Sequence, residues 1–424
     1  MKMKDNHCKQ YIKILKEELV VALGCTEPIS IAYGAAVARD ILGEFPTRMC
    51  VHASGNIIKN VKSVIVPGSG GLKGVEAAAI LGVVSGIAKQ KLEVLNHVKK
   101  ADLIQVNSLL KQQFCKVELI ENVEGLDIWV HVWGKNDHVQ VQLLHTHTNI
   151  SKIIKNDTVI EDNHCVEGDF NTALTDRKCL NIQDIYNFSK NENIDEIRDL
   201  LEMQITYNMD IAKEGLARCY GAEVGKTLLE TTNDIYNEAI AYTAAASDAR
   251  MSGCSKAVMS NSGSGNQGLT CSVPVILYAQ HKQLNHEELL RALLFSNLVT
   301  IRLKTGIGRL SAYCGVVCAA CASVASFTYM DKGSMQQIED TIINTLGSIS
   351  GMVCDGAKPS CAAKIASALY SGVIAQKLAM NHHVFEPHTG IIKGDIEATI
   401  DAIGYLGRVG MKETDTCILH MMID

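Results

Sequence analysis

Cysteine is the residue type that gives this sequence most of its potential chemistry. The chain carries 15 cysteines among 424 residues, and Cys354 and Cys361 flank a segment that contains glycine and proline. Ser360 is predicted to cap a helix that begins at Cys361. A thiol in the first turn of a helix is favoured as thiolate, the form that binds metals. The pair therefore fits either an iron–sulfur site or two structural thiols.

A second group of cysteines, Cys314, Cys318 and Cys321, has the spacing C-x3-C-x2-C. This spacing can hold an iron–sulfur cluster in radical enzymes. The surrounding residues 310–330 predict a helix, on which the three positions form one stripe about 10 Å long. Such a stripe is poor geometry for three ligands of one cluster, so Cys318 and Cys321 are interpreted as packing residues.

Cys25 lies between a predicted helix stop at Gly24 and a predicted helix cap at Thr26. A cysteine beside a helix N-terminus is expected to have a lowered pKa. Cys25 is therefore a candidate nucleophile, base or metal ligand. An inert buried thiol is the alternative that the sequence leaves open.

Two glycine-rich segments, 67–74 and 260–268, could present backbone N–H groups to a carboxylate or phosphate. Neither has the pattern of a P-loop or of a dinucleotide-binding fingerprint. Ser54 and Asn56 lie in a predicted strand region, residues 48–67, and are candidates to line a pocket. Turns with a purely structural role are the alternative for both segments.

Composition excludes several classes of protein. Hydrophobic residues make up 47% and charged residues 20% of the chain, and the net charge is −6 without a basic block. This composition predicts a globular protein that binds no nucleic acid. Two uncharged stretches, 257–280 and 310–330, are too polar or too rich in small residues to predict membrane spans. Residues 1–11 lack an apolar signal segment, so a cytoplasmic protein with free thiols, rather than a disulfide framework, is expected.

Hydrophobic periodicity predicts an α+β fold in two domains. Residues 1–180 combine N-terminal helices, 29–42 among them, with a small mixed or antiparallel sheet whose strands begin near residue 48. Residues 181–424 show helical periods almost throughout and predict an all-α catalytic domain. A homo-oligomer, with a dimer as the simplest form, is expected for such a helical protein.

Five segments together resemble the L-cysteine desulfidase family, which is related to the catalytic α-domain of the iron–sulfur L-serine dehydratases. The likeness extends nearly end to end and finishes near Asp415. The segments are Gly24-Cys25-Thr26-Glu27-Pro28, Gly55-Asn56-x-x-Lys59-Asn60-Val61, Pro67-Gly-Ser-Gly-Gly, Ser262-Gly-Ser-Gly-Asn266-Gln-Gly and Cys354-Asp-x5-Cys361-x-x-Lys364.

The resemblance implies a [4Fe–4S] cluster with one open iron, held by Cys314, Cys354 and Cys361. It also implies that Cys25 is the general base. Lys364 stands where the serine dehydratases have arginine, which keeps the charge but loses the bidentate geometry. Cys417 is not assigned the role of the C-terminal cysteine that can occupy the open iron in those enzymes.

The implied reaction is β-elimination of hydrogen sulfide from L-cysteine, which yields pyruvate and ammonia. Alternatives are serine β-elimination on the same scaffold, a pyridoxal-phosphate enzyme, and a non-catalytic iron–sulfur or amino-acid-binding sensor. The expected binding residues for the substrate are Ser54, Asn56, Ser262, Ser264, Asn266 and Lys364.

Overall fold

Sixteen α-helices and eight strands are present in the part of the chain that the structure describes, which is a computed structural model. The described residues are 5–121, 123, 125–163, 174–231 and 234–423. The helices are α1 (Asp5–Glu18), α2 (Thr26–Leu42), α3 (Gly55–Val61), α4 (Val75–Ser85), α5 (Lys100–Lys111), α6 (Ile182–Asn191), α7 (Asp195–Ala217), α8 (Val224–Leu229), α9 (Ile235–Met251), α10 (Gly265–His281), α11 (His286–Ile307), α12 (Gly315–Met330), α13 (Met335–Ile349), α14 (Cys361–Met380), α15 (Ile396–Tyr405) and α16 (Lys412–Ile423). The strands are β1 (Val21–Leu23), β2 (Arg48–Ser54), β3 (Cys115–Ile120), β4 (Asp127–Trp133), β5 (His138–Leu144), β6 (Ile150–Lys155), β7 (Thr158–Asp162) and β8 (Ala257–Met259).

Six strands form one mixed sheet in the order β3-β2-β4-β5-β6-β7. Strands β2 and β3 are parallel, and every other neighbouring pair is antiparallel. Alternate residues such as Val51, Val130 and Val141 are fully buried beneath α2 and α4, while the opposite face is left partly exposed. This alternation is the period of a half-buried strand. The α+β prediction is confirmed.

The helical part is built around a large apolar core formed by α7 and α9–α14. Cys318 and Cys321 lie inside this core without solvent exposure, as expected of packing residues. Helix α1 also packs here through Tyr11, Ile14 and Leu15, although the sequence groups it with the sheet. The domain boundary at residue 180 stays a prediction, and residues 164–173 beside it lie outside the described part. None of the described helices is long and apolar enough to cross a membrane.

Three local elements differ from the sequence prediction. The predicted strand region beyond residue 54 contains helix α3, because Ile57 and Val61 are four residues apart and both point into the core. The pairing of β1 with β8 joins segments more than 230 residues apart, which local periodicity cannot predict. Helix α12 begins at Gly315 rather than near residue 310.

Candidate active site

One cavity, which opens to solvent, is lined by Cys25, Cys314, Cys354 and Cys361. These are the four thiols that the resemblance singles out. They come from segments that are up to 336 residues apart in the chain (361 − 25). The fold therefore brings the predicted base and the three predicted metal ligands to the same place.

Three of the four cysteines stand at helix N-termini. Cys25 directly precedes α2 with φ −77° and ψ 133°, and Cys314 directly precedes α12 with φ −68° and ψ 116°. Cys361 is the first residue of α14 as predicted, but the Ser360 side chain makes no capping hydrogen bond. The partial positive charge of a helix N-terminus favours a thiolate. At all three thiols this effect acts against burial, which raises their pKa values.

A short antiparallel bridge brings Cys314 next to Cys354. Tyr313 pairs with Val353 in this bridge. The Cys314 N–H donates to the Met352 carbonyl over 3.0 Å, and the Cys354 N–H donates to the Ala312 carbonyl over 2.6 Å. This bridge holds the residues before Gly315 extended. Cys314 thus lies outside the helix, and the expected single stripe with Cys318 and Cys321 is wrong.

A hydrogen bond links the Cys314 and Cys354 thiols. A hydrogen bond from Cys314 lowers the pKa of the Cys354 thiol to about 5, and the nearby Lys59 ammonium also lowers it, against the effect of burial. The same contact, together with burial, raises the pKa of Cys314 well above its usual value. Burial also raises the pKa of Cys361. Cys354 is therefore the thiol that ionises first.

Cys25 behaves differently from the sequence expectation. Its thiol is 1% exposed and packs against Val64 and Met251. Burial raises its pKa to about 12, although the Arg250 guanidinium acts in the opposite direction. The predicted lowering by the helix N-terminus is wrong here, because loss of hydration outweighs the helix dipole.

Beyond the cysteines, the cavity wall combines apolar residues such as Leu310 and Val316 with several polar and charged side chains. Asn266 and Gln267, at the start of α10, each have a buried side-chain oxygen without a hydrogen-bond partner. Lys304 is 4% exposed, and burial lowers the pKa of its ammonium group. Arg250 is also buried, and its Nε donates to the Gly24 carbonyl over 3.1 Å. Unsatisfied acceptors and buried cations in one cavity are the groups that would bind an amino acid.

A family model described as serine dehydratase alpha chain matches residues 89–420 of the chain. The chain belongs to the serine dehydratase alpha-chain family. The matched region contains Cys314, Cys354 and Cys361 and begins after Cys25.

Three relatives that match this chain over nearly its whole length carry the name UPF0597 protein. The relative from Finegoldia magna is 48% identical over 417 residues, which cover 98% of this chain and 100% of the relative. The relative from Desulfitobacterium hafniense is 46% identical over 425 residues, covering 100% of this chain and 99% of the relative. A third, from Fusobacterium nucleatum, is 46% identical over 424 residues and covers 99% of both chains.

Of the six expected substrate-binding residues of this family member, Ser264 and Asn266 line the cavity with the cysteines. The Ser54 hydroxyl instead donates to the Gly125 carbonyl over 2.7 Å. Ser262 donates to the Asn261 side chain over 2.8 Å. Two more lie elsewhere: Asn56, which lines neighbouring cavities, and Lys364, which pairs with Asp355.

No sequence motif indicated Arg250, Lys304 or Gln267 as site residues. A signal is present for Arg250, which is the one Lys or Arg side chain of α9. Lys304 follows Arg302 by two residues on α11 and gives no such signal. Buried charges of this kind require a partner. Gln267 lies within the quoted Ser262–Gly268 segment, but only the fold shows that its side chain reaches the cavity.

Proposed function

We propose that this protein is an iron–sulfur lyase that eliminates hydrogen sulfide from L-cysteine to give pyruvate and ammonia. The observation that carries the proposal is the convergence of Cys314, Cys354 and Cys361 beside Cys25 in one cavity. The proposal includes a cytoplasmic location and a homodimer, as expected from the sequence.

The residues present fit a [4Fe–4S] cluster held by three cysteines. Thiolates are the ligands that such clusters use, and Cys354 is already inclined to ionise. The N-termini of α12 and α14 and the ammonium groups of Lys59 and Lys304 oppose the negative charge of three thiolates. When bound, a cluster with one open iron would supply a Lewis acid for the departing sulfur.

The polar wall is suited to hold the amino-acid part of the substrate. The unpartnered oxygens of Asn266 and Gln267 can accept hydrogen bonds from an α-ammonium group. Lys304 and Arg250 can pair with the α-carboxylate in a site where little water competes. These contacts would fix the α-proton and the β-carbon relative to Cys25.

Cys25 is the group proposed to remove the α-proton. Its thiol must first lose a proton, and the Arg250 guanidinium is the group that favours this ionisation most. Transfer of the α-proton to Cys25 is followed by cleavage of the Cβ–S bond, which releases the sulfur as hydrogen sulfide. The remaining aminoacrylate reacts with water to form pyruvate and ammonia.

The test is release of sulfide and pyruvate from L-cysteine by anaerobically reconstituted protein. Equal amounts of both products are expected. Cys25→Ala should lower the rate at least about 100-fold, the usual contribution of a general base, with iron content unchanged. Cys417→Ser, which alters an exposed thiol, is the matched control and should retain activity. A fully active Cys25→Ala protein would refute the assigned role.

L-serine β-elimination is the second candidate function, because the matching family model is named for serine dehydratase. It differs only in the leaving group, which is water instead of sulfide. Parallel assays with L-serine distinguish the two. Turnover of serine alone would assign the protein as a dehydratase, and a loaded cluster without turnover of either substrate would indicate a sensor.

A further inference from the structure

The open face of the six-stranded sheet carries a second group of metal-binding residue types, far in sequence from the three cysteines described above. Cys50 and His52 are two residues apart on β2 and therefore project from the same face. Glu118 on β3 lies opposite His52, and His131 on β4 lies opposite Cys50. Thus three neighbouring strands place a thiol, two imidazoles and a carboxylate side by side.

The side chains are already near ligand geometry. One atom each from Cys50, His52 and Glu118 form a set in which all separations are within 4.8 Å. The Cys50 Sγ lies 3.6 Å from the His52 Nε2, whereas a Glu118 carboxylate oxygen lies 3.5 Å from the other ring nitrogen, Nδ1. One zinc ion can bind only one of these two nitrogens, so the third ligand must move to complete the site. Sulfur and nitrogen ligands of a tetrahedral zinc ion are separated by about 3.6 Å, given bonds of about 2.3 and 2.1 Å.

We propose that Cys50, His52 and Glu118 form a zinc site on the open face of the sheet. A mixed set of thiolate, imidazole and carboxylate is typical of Zn²⁺, whereas Mg²⁺ and Ca²⁺ prefer oxygen ligands alone. His131, whose ring centre is 4.6 Å from that of His52, is the neighbouring group that can approach the fourth position.

Burial and charge around the site are compatible with a bound cation. Cys50 is buried, while the side chains of His52 and Glu118 are 33% and 57% exposed, so an ion can reach the site from solvent. Burial and the Glu118 carboxylate raise the pKa of the Cys50 thiol, and Lys116 and Arg48 offset this only in part. A zinc ion would therefore have to displace the thiol proton when it binds. A zinc ion at this site would be repelled by these two positive charges, Lys116 and Arg48.

A zinc ion here would join β3 to β2 on the open side of the sheet. Strand β2 leads directly into α3, whose Lys59 donates to the Cys354 carbonyl over 3.2 Å. The ion would thus restrain the strand that positions one contact to the candidate active site. Binding to the folded chain alone would also raise the melting temperature.

Zinc binding should be measured on the full-length, cluster-reconstituted protein by anaerobic equilibrium dialysis against ZnCl₂, with zinc and iron determined in the same sample. One zinc per chain is expected beyond any bound at the iron site, together with a higher melting temperature. Glu118→Gln and His52→Ala should weaken binding at least tenfold without loss of iron. Glu118 is largely exposed, so its substitution is not expected to impair folding.

His138→Gln is the matched control, because His138 lies on β5 of the same sheet but pairs with Asp157. It should bind zinc as the unaltered protein does. Zinc affinity unchanged in both Glu118→Gln and His52→Ala, or no zinc retained by the unaltered chain, overturns the proposal. Because zinc is measured independently of turnover, these outcomes are separate from success or failure of the proposed lyase activity.

Discussion

The buried ion pair between Lys59 and Asp415 should be essential to the wall of the candidate active site. Lys59 on α3 is 1% exposed and contacts both Asp415 on α16 and the Cys354 carbonyl. The Asp415 side chain is 19% exposed and keeps some access to water. Removal of one partner from a buried pair costs about 3–5 kcal/mol, since the remaining charge is left without compensation.

The two single substitutions should therefore have unequal effects. Asp415→Asn leaves a fully buried ammonium group and should lower the free energy of unfolding by about 3 kcal/mol. Lys59→Met leaves a carboxylate that water can reach, so its cost should be smaller, about 1–2 kcal/mol. Urea unfolding of the cluster-free protein under reducing conditions measures both values.

Lys16→Met is the control, because Lys16 and Glu196 form an ion pair at 3.2 Å with side chains that are 46% and 68% exposed. Its effect should stay below about 1 kcal/mol. The reasoning is refuted if Asp415→Asn costs less than about 1 kcal/mol or if Lys59→Met costs more than Asp415→Asn. The double variant should cost less than the sum of the two single substitutions.

Two further predictions concern packing and pH. A Cβ at Gly82 would lie 2.3 Å from the Ala32 carbonyl oxygen. Gly82→Ala should therefore lower the free energy of unfolding, measured in urea, by about 1–3 kcal/mol. A higher free energy of unfolding would show that α2 and α4 can separate freely. Burial lowers the pKa of His147 to about 3. As the pH falls, the unfolded chain therefore binds a proton at this histidine before the folded protein does. Stability is then lost as the pH falls below about 6.5. His147→Gln should remove up to about 2 kcal/mol of the stability difference between pH 7 and pH 5, and an unchanged difference would contradict this assignment.

The sheet is predictable where burial follows local alternation. Strands β4 and β5 alternate buried and partly exposed residues along their length, which is the pattern that a single sequence reveals. Strand β7 is exposed at every position and has no such pattern. Helix α3 contains the β-branched residues Ile57, Ile58 and Val61, whose spacing satisfies both a strand and a helix.

Some features of the candidate site follow from neighbouring residues and are predictable, whereas others depend on contacts between distant segments. The start of α14 at Cys361 follows from neighbouring residues and is predictable from them. The position of Cys314 depends on the bridge between Tyr313 and Val353, which are 40 residues apart (353 − 313). The pKa of Cys25 depends on burial by Val64 and Met251. Helix position alone therefore gives the wrong direction for this thiol.

Buried charge supports the proposal that the same cavity binds both a cluster and a substrate. Arg250 and Lys304 are almost fully buried, while Glu27 has a raised pKa from burial and thus a reduced tendency to carry negative charge. Buried cations without matching anions are costly. Thiolates on one side and a substrate carboxylate on the other would supply the missing negative charge. If the proposal is right, binding of anionic groups in this cavity should stabilise the fold that forms it.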